Sequence, residues 1–140
     1  MVIADTSFWI ALIIEKDTYN RQAREALMKL DQPLITTWPV IAETCHILLK
    51  RIDNNAQTKF VEGITEKKYQ IFEIKENQAP HIVELMEQYA DLPMDLADAS
   101  LVLLAEHLGH GKILSADQRD FNTYRWNNRE PFENLMFPVA

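Results

Sequence analysis

The chain has 140 residues, of which 47% are hydrophobic and 25% are charged. This length predicts a single domain over residues 1–140, whose core needs no disulfide staples. The only cysteine is Cys45, which excludes an internal disulfide and a thiolate-built zinc site and is typical of a cytoplasmic protein. The longest apolar run, residues 8–14, is too short to span a bilayer, and residues 1–4 are too short for a signal peptide.

The net charge of −7 is unevenly distributed along the chain. Residues 1–70 contain nine acidic and nine basic side chains, whereas residues 71–140 contain twelve acidic and five basic ones. An acidic chain lacks the overall positive charge of a sequence-independent nucleic-acid binder. A local basic patch is still compatible with this balance, although solvated helix faces explain such residues more often. The candidates are Lys50, Arg51, Lys59, Lys67, Lys68, Arg119, Arg125 and Arg129.

The first half of the chain is predicted to alternate strands and helices. An apolar run over residues 1–4 ends at Asp5, and Thr6 and Ser7 offer N-cap hydroxyls for a helix over residues 8–14. Apolar periodicity, Pro33 and Pro39 predict the other elements of this half. These are a helix over 18–30, a strand over 34–36, a helix over 38–51, a break at Asn54 and Asn55, and a helix over 56–66.

The second half repeats this alternation. The pattern predicts strands over 69–74 and 112–115, a helix from Pro80 to Tyr89 and a helix from Pro93 to Leu108. A loop over 126–131 and an edge strand over 132–137 follow. Strands separated by helices favour parallel pairing with right-handed crossovers. We therefore predict an α/β fold, a three-layer α/β/α sandwich around a central, mainly parallel sheet.

Two predicted strands lead directly into aspartates. The first strand is followed by Asp5, and the strand over 112–115 is followed by Asp117. Because ligands of open parallel sheets bind beyond the carboxyl ends of the strands, we expect both acids at one functional edge. The alternative roles are helix capping for Asp5 and a simple turn or helix start for Asp117.

Two further acids lie on apolar helix faces. Val40 and Ile47 flank Glu43 at helical spacing, and the helical neighbours of Asp98 include no cation. A carboxylate among apolar groups is costly unless it has a partner, so a lysine or arginine from elsewhere is the alternative for Glu43. Asp95 has a simpler explanation, since acids in a first helical turn are favoured by the helix dipole.

Several carboxylates in a partly dry site repel one another, so some must take up protons or share a cation. Ligands that are all oxygen select hard divalent ions such as Mg²⁺ or Mn²⁺. Such an ion activates water, orients a phosphate and offsets the charge on the leaving oxygen. The acids therefore indicate phosphodiester hydrolysis.

Four segments together resemble the PIN-domain ribonucleases, and among them the VapC-like toxins of toxin–antitoxin pairs. The segments are VIADTSFWIAL with Asp5, TWPVIAETCHILL with Glu43, MDLADASLVLLAE with Asp98 and KILSADQRDF with Asp117. Each segment alone is weakly diagnostic. Their order, their spacing and their agreement with the predicted strand ends and helices make the combination specific.

The resemblance implies a PIN-like fold and a metal-dependent endoribonuclease that uses Mg²⁺ or Mn²⁺ to cleave RNA. It also implies a homodimer and an antitoxin whose C-terminal segment blocks the site. The implied catalytic and metal-binding acids are Asp5, Glu43, Asp98 and Asp117, with Asp120 as an alternative fourth acid. The implied supporting residues are Ser7, Asp95, Ser115 and Asp120. Ser115 stands where the family usually has threonine, which preserves the hydroxyl.

Other functions fit the sequence less well. The main alternative is a non-catalytic PIN-like scaffold whose acidic pocket captures a basic segment of a partner. A haloacid-dehalogenase-like phosphatase needs a second aspartate where Ser7 stands, and the glycine-rich turn of a dinucleotide-binding fold is missing. Trp9 and Trp38 flank the predicted site; core packing is their commoner role, and stacking on bases is the alternative.

Overall fold

A parallel sheet of five short strands forms the centre of the computed structural model, which describes residues 1–138. The strands are β1 (Val2–Ala4), β2 (Leu34–Thr37), β3 (Tyr69–Phe72), β4 (Lys112–Leu114) and β7 (Glu133–Asn134), with a separate antiparallel pair, β5 (Arg125–Trp126) and β6 (Glu130–Pro131). The order across the sheet is β3-β2-β1-β4-β7. Helices flank this sheet, which confirms the predicted α/β/α class.

The helices connect successive strands of the sheet. They are α1 (Thr6–Ile13), α2 (Asn20–Lys29), α3 (Trp38–Arg51), α4 (Asn54–Thr65), α5 (Ala79–Gln88), α6 (Leu96–Leu108) and α7 (Gln118–Thr123). A single 3₁₀ turn, Glu76–Gln78, precedes α5. No helix within residues 1–138 has the length and apolarity that crossing a bilayer requires.

The central strand β1 fixes the edge at which the site forms. Its three residues are fully buried, as expected for a parallel strand covered on both faces. In register, Val2 lies opposite Leu34 of β2, and Ile3 lies opposite Ile113 of β4. The carboxyl ends of β1 and β4 are therefore adjacent, and the chain continues from them into Asp5 and Ser115.

The predicted break between two helices exists, but it lies at Ile52 and Asp53 rather than at Asn54 and Asn55. Asp53 is the N-cap of α4, and its side chain accepts a hydrogen bond of 2.9 Å from the backbone N–H of Ala56. The two asparagines therefore form the first turn of the helix rather than an interruption. Either an aspartate or an asparagine serves well as an N-cap, so the composition of this segment does not decide which residue takes the role.

The C-terminal region differs from the predicted loop and edge strand. Strands β5 and β6 form a hairpin whose turn places Asn127 and Asn128 at φ of 49° and 65°. Asparagine tolerates this left-handed conformation better than most residues, which explains how the turn forms without glycine. The predicted edge strand exists only over Glu133–Asn134, where it pairs in parallel with β4. Residues 139–140 of the predicted domain lie outside the described chain.

The two tryptophans have different environments. Trp9 is buried and packs its ring against Phe60 and Tyr69, with centroids 5.2 and 4.8 Å away. Trp38, the first residue of α3, is 47% exposed. The expectation of a core role is therefore right for Trp9 and wrong for Trp38.

Candidate active site

A pocket of about 370 Å³ opens beyond the carboxyl ends of β1 and β4. One basic side chain, Arg51, and seven acidic side chains line it. The acids are Asp5, Asp17, Glu43, Asp95, Asp98, Asp117 and Asp120. The structure thus brings together every acid that the sequence analysis singled out, from segments that are far apart in the chain.

Asp5 is buried at the junction of β1 and α1. Its Oδ1 accepts hydrogen bonds from the backbone N–H of Phe8 at 2.9 Å and from the Ser7 hydroxyl at 2.7 Å. Its Oδ2 accepts a 2.6 Å hydrogen bond from the Ser115 hydroxyl. Asp5 is therefore the N-cap of α1, which confirms the capping role considered for it, and Thr6 and Ser7 do not provide the cap.

Burial also changes the acidity of Asp5. Removal from water raises its pKa to about 6, and the negative charge of Asp117 adds to this increase. The hydrogen bonds from Ser115, Phe8 and Ser7 act in the opposite direction because they stabilise the carboxylate. The result is a carboxylate with fixed orientation whose charge is only partly compensated.

Two serine hydroxyls connect Asp5 to the loop after β4. The Ser7 Oγ accepts hydrogen bonds from the backbone N–H groups of Ala116 at 2.8 Å and Asp117 at 3.2 Å. The Ser115 Oγ accepts a further bond from the Asp117 N–H at 2.9 Å. Each hydroxyl therefore donates to Asp5 and accepts from the Asp117 segment, which fixes these two acids relative to each other.

Asp117 and Asp120 both face the pocket from the start of α7. Asp117 is the N-cap of this helix, and its Oδ1 accepts the backbone N–H of Asp120 at 3.1 Å. Burial and the neighbouring Asp117 raise the pKa of Asp120 to about 6. Asp117 therefore starts a helix, as its alternative role predicts, and it also lines the pocket. Both Asp117 and Asp120 are candidates for the fourth acid.

The start of α6 determines how Asp98 faces the pocket. The predicted start at Pro93 is wrong, because Asp95 caps the helix and Leu96 is its first residue. The Asp95 Oδ1 accepts a 2.9 Å hydrogen bond from the backbone N–H of Asp98. Asp95 is exposed and Asp98 is partly buried, so the cap occupies the pocket rim and Asp98 points into a drier environment.

Asp98 has a buried phenol as its partner rather than a cation. The Tyr124 hydroxyl donates a 2.8 Å hydrogen bond to the Asp98 Oδ2. Burial and the adjacent Asp95 charge raise the pKa of Asp98 to about 8, although the bond from Tyr124 lowers it. Burial and the charge of Asp98 raise the pKa of Tyr124 as well, which keeps its hydroxyl protonated.

Sequence analysis missed Tyr124. This residue is fully buried directly after α7, and 26 positions separate it from Asp98. Neither helical nor strand periodicity relates residues so far apart, and an aromatic residue after a short helix is ordinary core material. The sequence therefore contains no local signal for this contact.

Glu43 reaches the pocket from α3, on the same face as Val40 and Ile47. It is half-buried, and burial followed by the charge of Asp95 raises its pKa. Within residues 1–138 the salt bridges involve other residues, so neither Glu43 nor any other acid of the pocket forms one with lysine or arginine. The cationic partner considered for Glu43 is therefore not found in the described structure.

The oxygen atoms that line the pocket are of the type that a hard divalent ion prefers as ligands. The candidate ligands are carboxylate oxygens, and the buried Thr6 hydroxyl, which lies near Glu43, lines the same pocket. Among the side chains of residues 1–138, no three acidic, histidine or cysteine groups lie close enough to enclose an ion as they stand. Binding therefore requires the carboxylates to converge further.

Comparison with known proteins places the chain in a family. Residues 2–127 match the PIN domain family, whereas no curated protein sequence matches the chain. Its structure is similar to that of VapC20 from Mycobacterium tuberculosis, a toxin that cleaves the sarcin–ricin loop. The two have a TM-score of 0.78 and 18% identity, with 85% of this chain and 92% of VapC20 covered. The structural match shows the shared fold, and the family match shows that this chain belongs to the PIN domain family.

Proposed function

We propose that this protein is a metal-dependent endoribonuclease that hydrolyses RNA phosphodiester bonds. Membership of the PIN domain family supports a nuclease. The fold is shared with VapC20, which cleaves an RNA loop, and this supports RNA as the substrate class.

The observation that carries the proposal is the accumulation, in one pocket, of carboxylates that have no lysine or arginine partner in the described chain. Seven acids line a space of about 370 Å³, and none forms a salt bridge with lysine or arginine in the described chain. Bringing like charges together in a partly dry site is unfavourable unless protons or cations compensate them. A divalent cation supplies that compensation and also fits the oxygen donors.

Asp5, Glu43, Asp98 and Asp117 are the residues that would hold Mg²⁺ or Mn²⁺, with Asp120 as the alternative to Asp117. The bound ion would supply Lewis-acid chemistry, activating water and offsetting charge on the phosphate. Ser7 and Ser115 orient Asp5 through hydrogen bonds of 2.7 and 2.6 Å. Tyr124 orients Asp98 in the same way, so hydroxyl groups position both of the most buried acids, two at Asp5 and one at Asp98.

We also propose that the protein is the toxin of a toxin–antitoxin pair, acting as a homodimer in the cytoplasm. The support is its structural similarity to VapC20, which is a toxin. An acidic pocket is complementary to a basic segment, so an antitoxin that carries arginine or lysine near its C-terminus would block the site.

Cleavage of RNA with Mn²⁺ tests the catalytic proposal. We expect the wild-type protein to cleave, and Asp5→Ala and Asp98→Asn to lose at least about a hundredfold in rate, because each removes a proposed ligand. Asp91→Asn is the matched control, since Asp91 is exposed and does not line the pocket. Equal activity in all four proteins would indicate a contaminating nuclease and contradict the proposal.

Measurements on the same proteins distinguish the proposed ribonuclease from a non-catalytic scaffold. If the pocket serves only to capture a basic segment, the wild type will not cleave, and Mn²⁺ will not protect it against unfolding.

A further inference from the structure

One basic side chain shares the pocket with the seven acids. Arg51 is the last residue of α3 and is exposed at the pocket wall. Within residues 1–138 it forms no salt bridge and its guanidinium donates no side-chain hydrogen bond to another protein group. Its five N–H donors therefore remain available to a ligand.

Arg51 is paired with none of the acids of the pocket in the described chain, Asp17 included. Asp17 lines the same pocket, but its Oδ1 accepts the backbone N–H of Tyr19 at 2.9 Å, and it forms no salt bridge with Arg51. An arginine that served only to neutralise the pocket would be expected to contact one of the seven carboxylates.

The helix that carries Arg51 also sets its distance from the proposed metal ligands. Glu43, Ile47 and Arg51 are spaced by four residues along α3, and all three line the pocket. Eight residues correspond to about 12 Å along a helix axis. Arg51 therefore begins about two turns of α3 away from Glu43, at the wall of the same pocket.

We propose that Arg51 is a positioning residue that binds a backbone phosphate of the RNA strand beyond the scissile phosphate. This inference rests on the proposed ribonuclease function. The planar guanidinium matches two phosphate oxygens with parallel hydrogen bonds, which is the geometry that lysine cannot reproduce. The protein as a whole has a net charge of −7, which is unfavourable for a polyanion. A contact between Arg51 and a backbone phosphate provides a local attraction for the RNA strand next to the acids.

A purely structural role for Arg51 predicts different results. Basic residues in a last helical turn stabilise a helix through its dipole, and α3 has both Lys50 and Arg51 there. If this were the only role, replacement of Arg51 would lower the melting temperature slightly and leave the kinetic constants unchanged. If Arg51 only balanced charge, its removal would strengthen Mn²⁺ binding without raising KM.

The test is steady-state cleavage of a single-stranded RNA by Arg51→Ala, Arg51→Lys and the control Arg24→Ala at saturating Mn²⁺. Arg24 is an exposed arginine of α2 that does not line the pocket. For Arg51→Ala we expect KM to rise about tenfold while kcat stays within about twofold, because a remote phosphate contact contributes uniform binding. Arg51→Lys is expected to be intermediate, and Arg24→Ala to behave as the wild type.

The salt dependence provides a second measurement that a structural role would not change. Loss of one phosphate contact should reduce the slope of log kcat/KM against log salt concentration by about 0.7. Kinetics and slope of Arg51→Ala that equal those of Arg24→Ala, in an active enzyme, would overturn the role of Arg51 alone. Failure of the wild type to cleave any RNA would overturn the ribonuclease function and this role together.

Discussion

The Tyr124 hydroxyl donates a 2.8 Å hydrogen bond to the Oδ2 of Asp98. The contact joins a residue that the sequence identifies as a site candidate to one that it does not. Asp98 is prominent in the sequence as an acid on an apolar helix, whereas Tyr124 is inconspicuous. The phenol is fully buried and packs edge-on against Tyr89 and Phe121. Rigid packing of the donor therefore fixes the orientation of the most strongly perturbed carboxylate in the pocket.

Replacement of Tyr124 by phenylalanine should reduce activity while the fold is retained. The substitution preserves the aromatic packing and removes the one side-chain donor to Asp98, so we expect about 1–2 kcal/mol lower stability. We also expect about tenfold weaker apparent Mn²⁺ affinity in the cleavage assay, since loss of the positioning group disturbs a proposed ligand. An unchanged Mn²⁺ dependence would show that Tyr124 has only a packing role.

Removal of the Ser7 hydroxyl should loosen the connection between Asp5 and the loop after β4. Ser7→Ala deletes a donor to Asp5 and an acceptor for the N–H groups of Ala116 and Asp117. We expect a loss of about 1–3 kcal/mol in the free energy of unfolding, measured by urea denaturation. The control is Thr58→Ala, an exposed hydroxyl of α4. Equal losses in both variants would contradict the proposed connection.

The metal-free protein should become less stable as the pH rises from 7 to 9. The pKa of Asp98 is raised to about 8 in the folded state from the ordinary value of 3.8, so the folded protein holds a proton that the unfolded chain has released. Stability therefore falls as the pH rises through 8, by about 1 kcal/mol for this one group.

Chemical denaturation in the presence of a chelator at several pH values measures this effect. Asp98→Asn removes the titrating group and should flatten the profile between pH 7 and 9, whereas Asp91→Asn should not. Stability that rises over this interval, or an equal slope in wild type and Asp98→Asn, would show that Asp98 does not hold the excess proton.

Addition of a methyl group at Gly111 should destabilise the C-terminal hairpin. A Cβ at this position would lie 2.7 Å from the Trp126 Nε1 and 3.1 Å from the Phe132 Cα. The Trp126 ring also donates a hydrogen bond to the Pro131 carbonyl at 3.1 Å, so it cannot move freely. We expect Gly111→Ala to cost about 1–3 kcal/mol, which thermal denaturation would detect as a lower melting temperature; an unchanged value would contradict this contact.

Much of the sheet and the site edge could be predicted because their signals are local. Residues 1–4 form a fully apolar run that ends at an acid, and the structure has β1 over Val2–Ala4 followed by Asp5. Parallel strands place their carboxyl ends on one edge, which explains why Asp5 and Asp117 line one pocket. Glu43 and Asp98 could be singled out because each is an acid on an apolar helix face, and the resemblance to PIN-domain proteins grouped them with Asp5 and Asp117.

The parts that were predicted wrongly depend on competition between similar residues or on tertiary packing. Asp5, Thr6 and Ser7 are all suitable N-caps, and only the environment of the folded chain selects Asp5. The same competition gave Pro93 rather than Asp95 as the start of α6. The hairpin after α7 pairs strands of only two residues, too short for an alternating pattern to show, and its turn uses Asn127 and Asn128 instead of glycine.

Binding of a hard divalent ion by the carboxylates of the pocket can be measured by Mn²⁺ titration followed by thermal denaturation. A ligand at a hundred times its Kd should stabilise the protein by about 2.7 kcal/mol. We predict a clear rise in melting temperature with Mn²⁺ for the wild type and for Asp91→Asn, and its loss in Asp98→Asn. An identical response of all three proteins, or no response in the wild type, would show that the pocket carboxylates do not bind the ion.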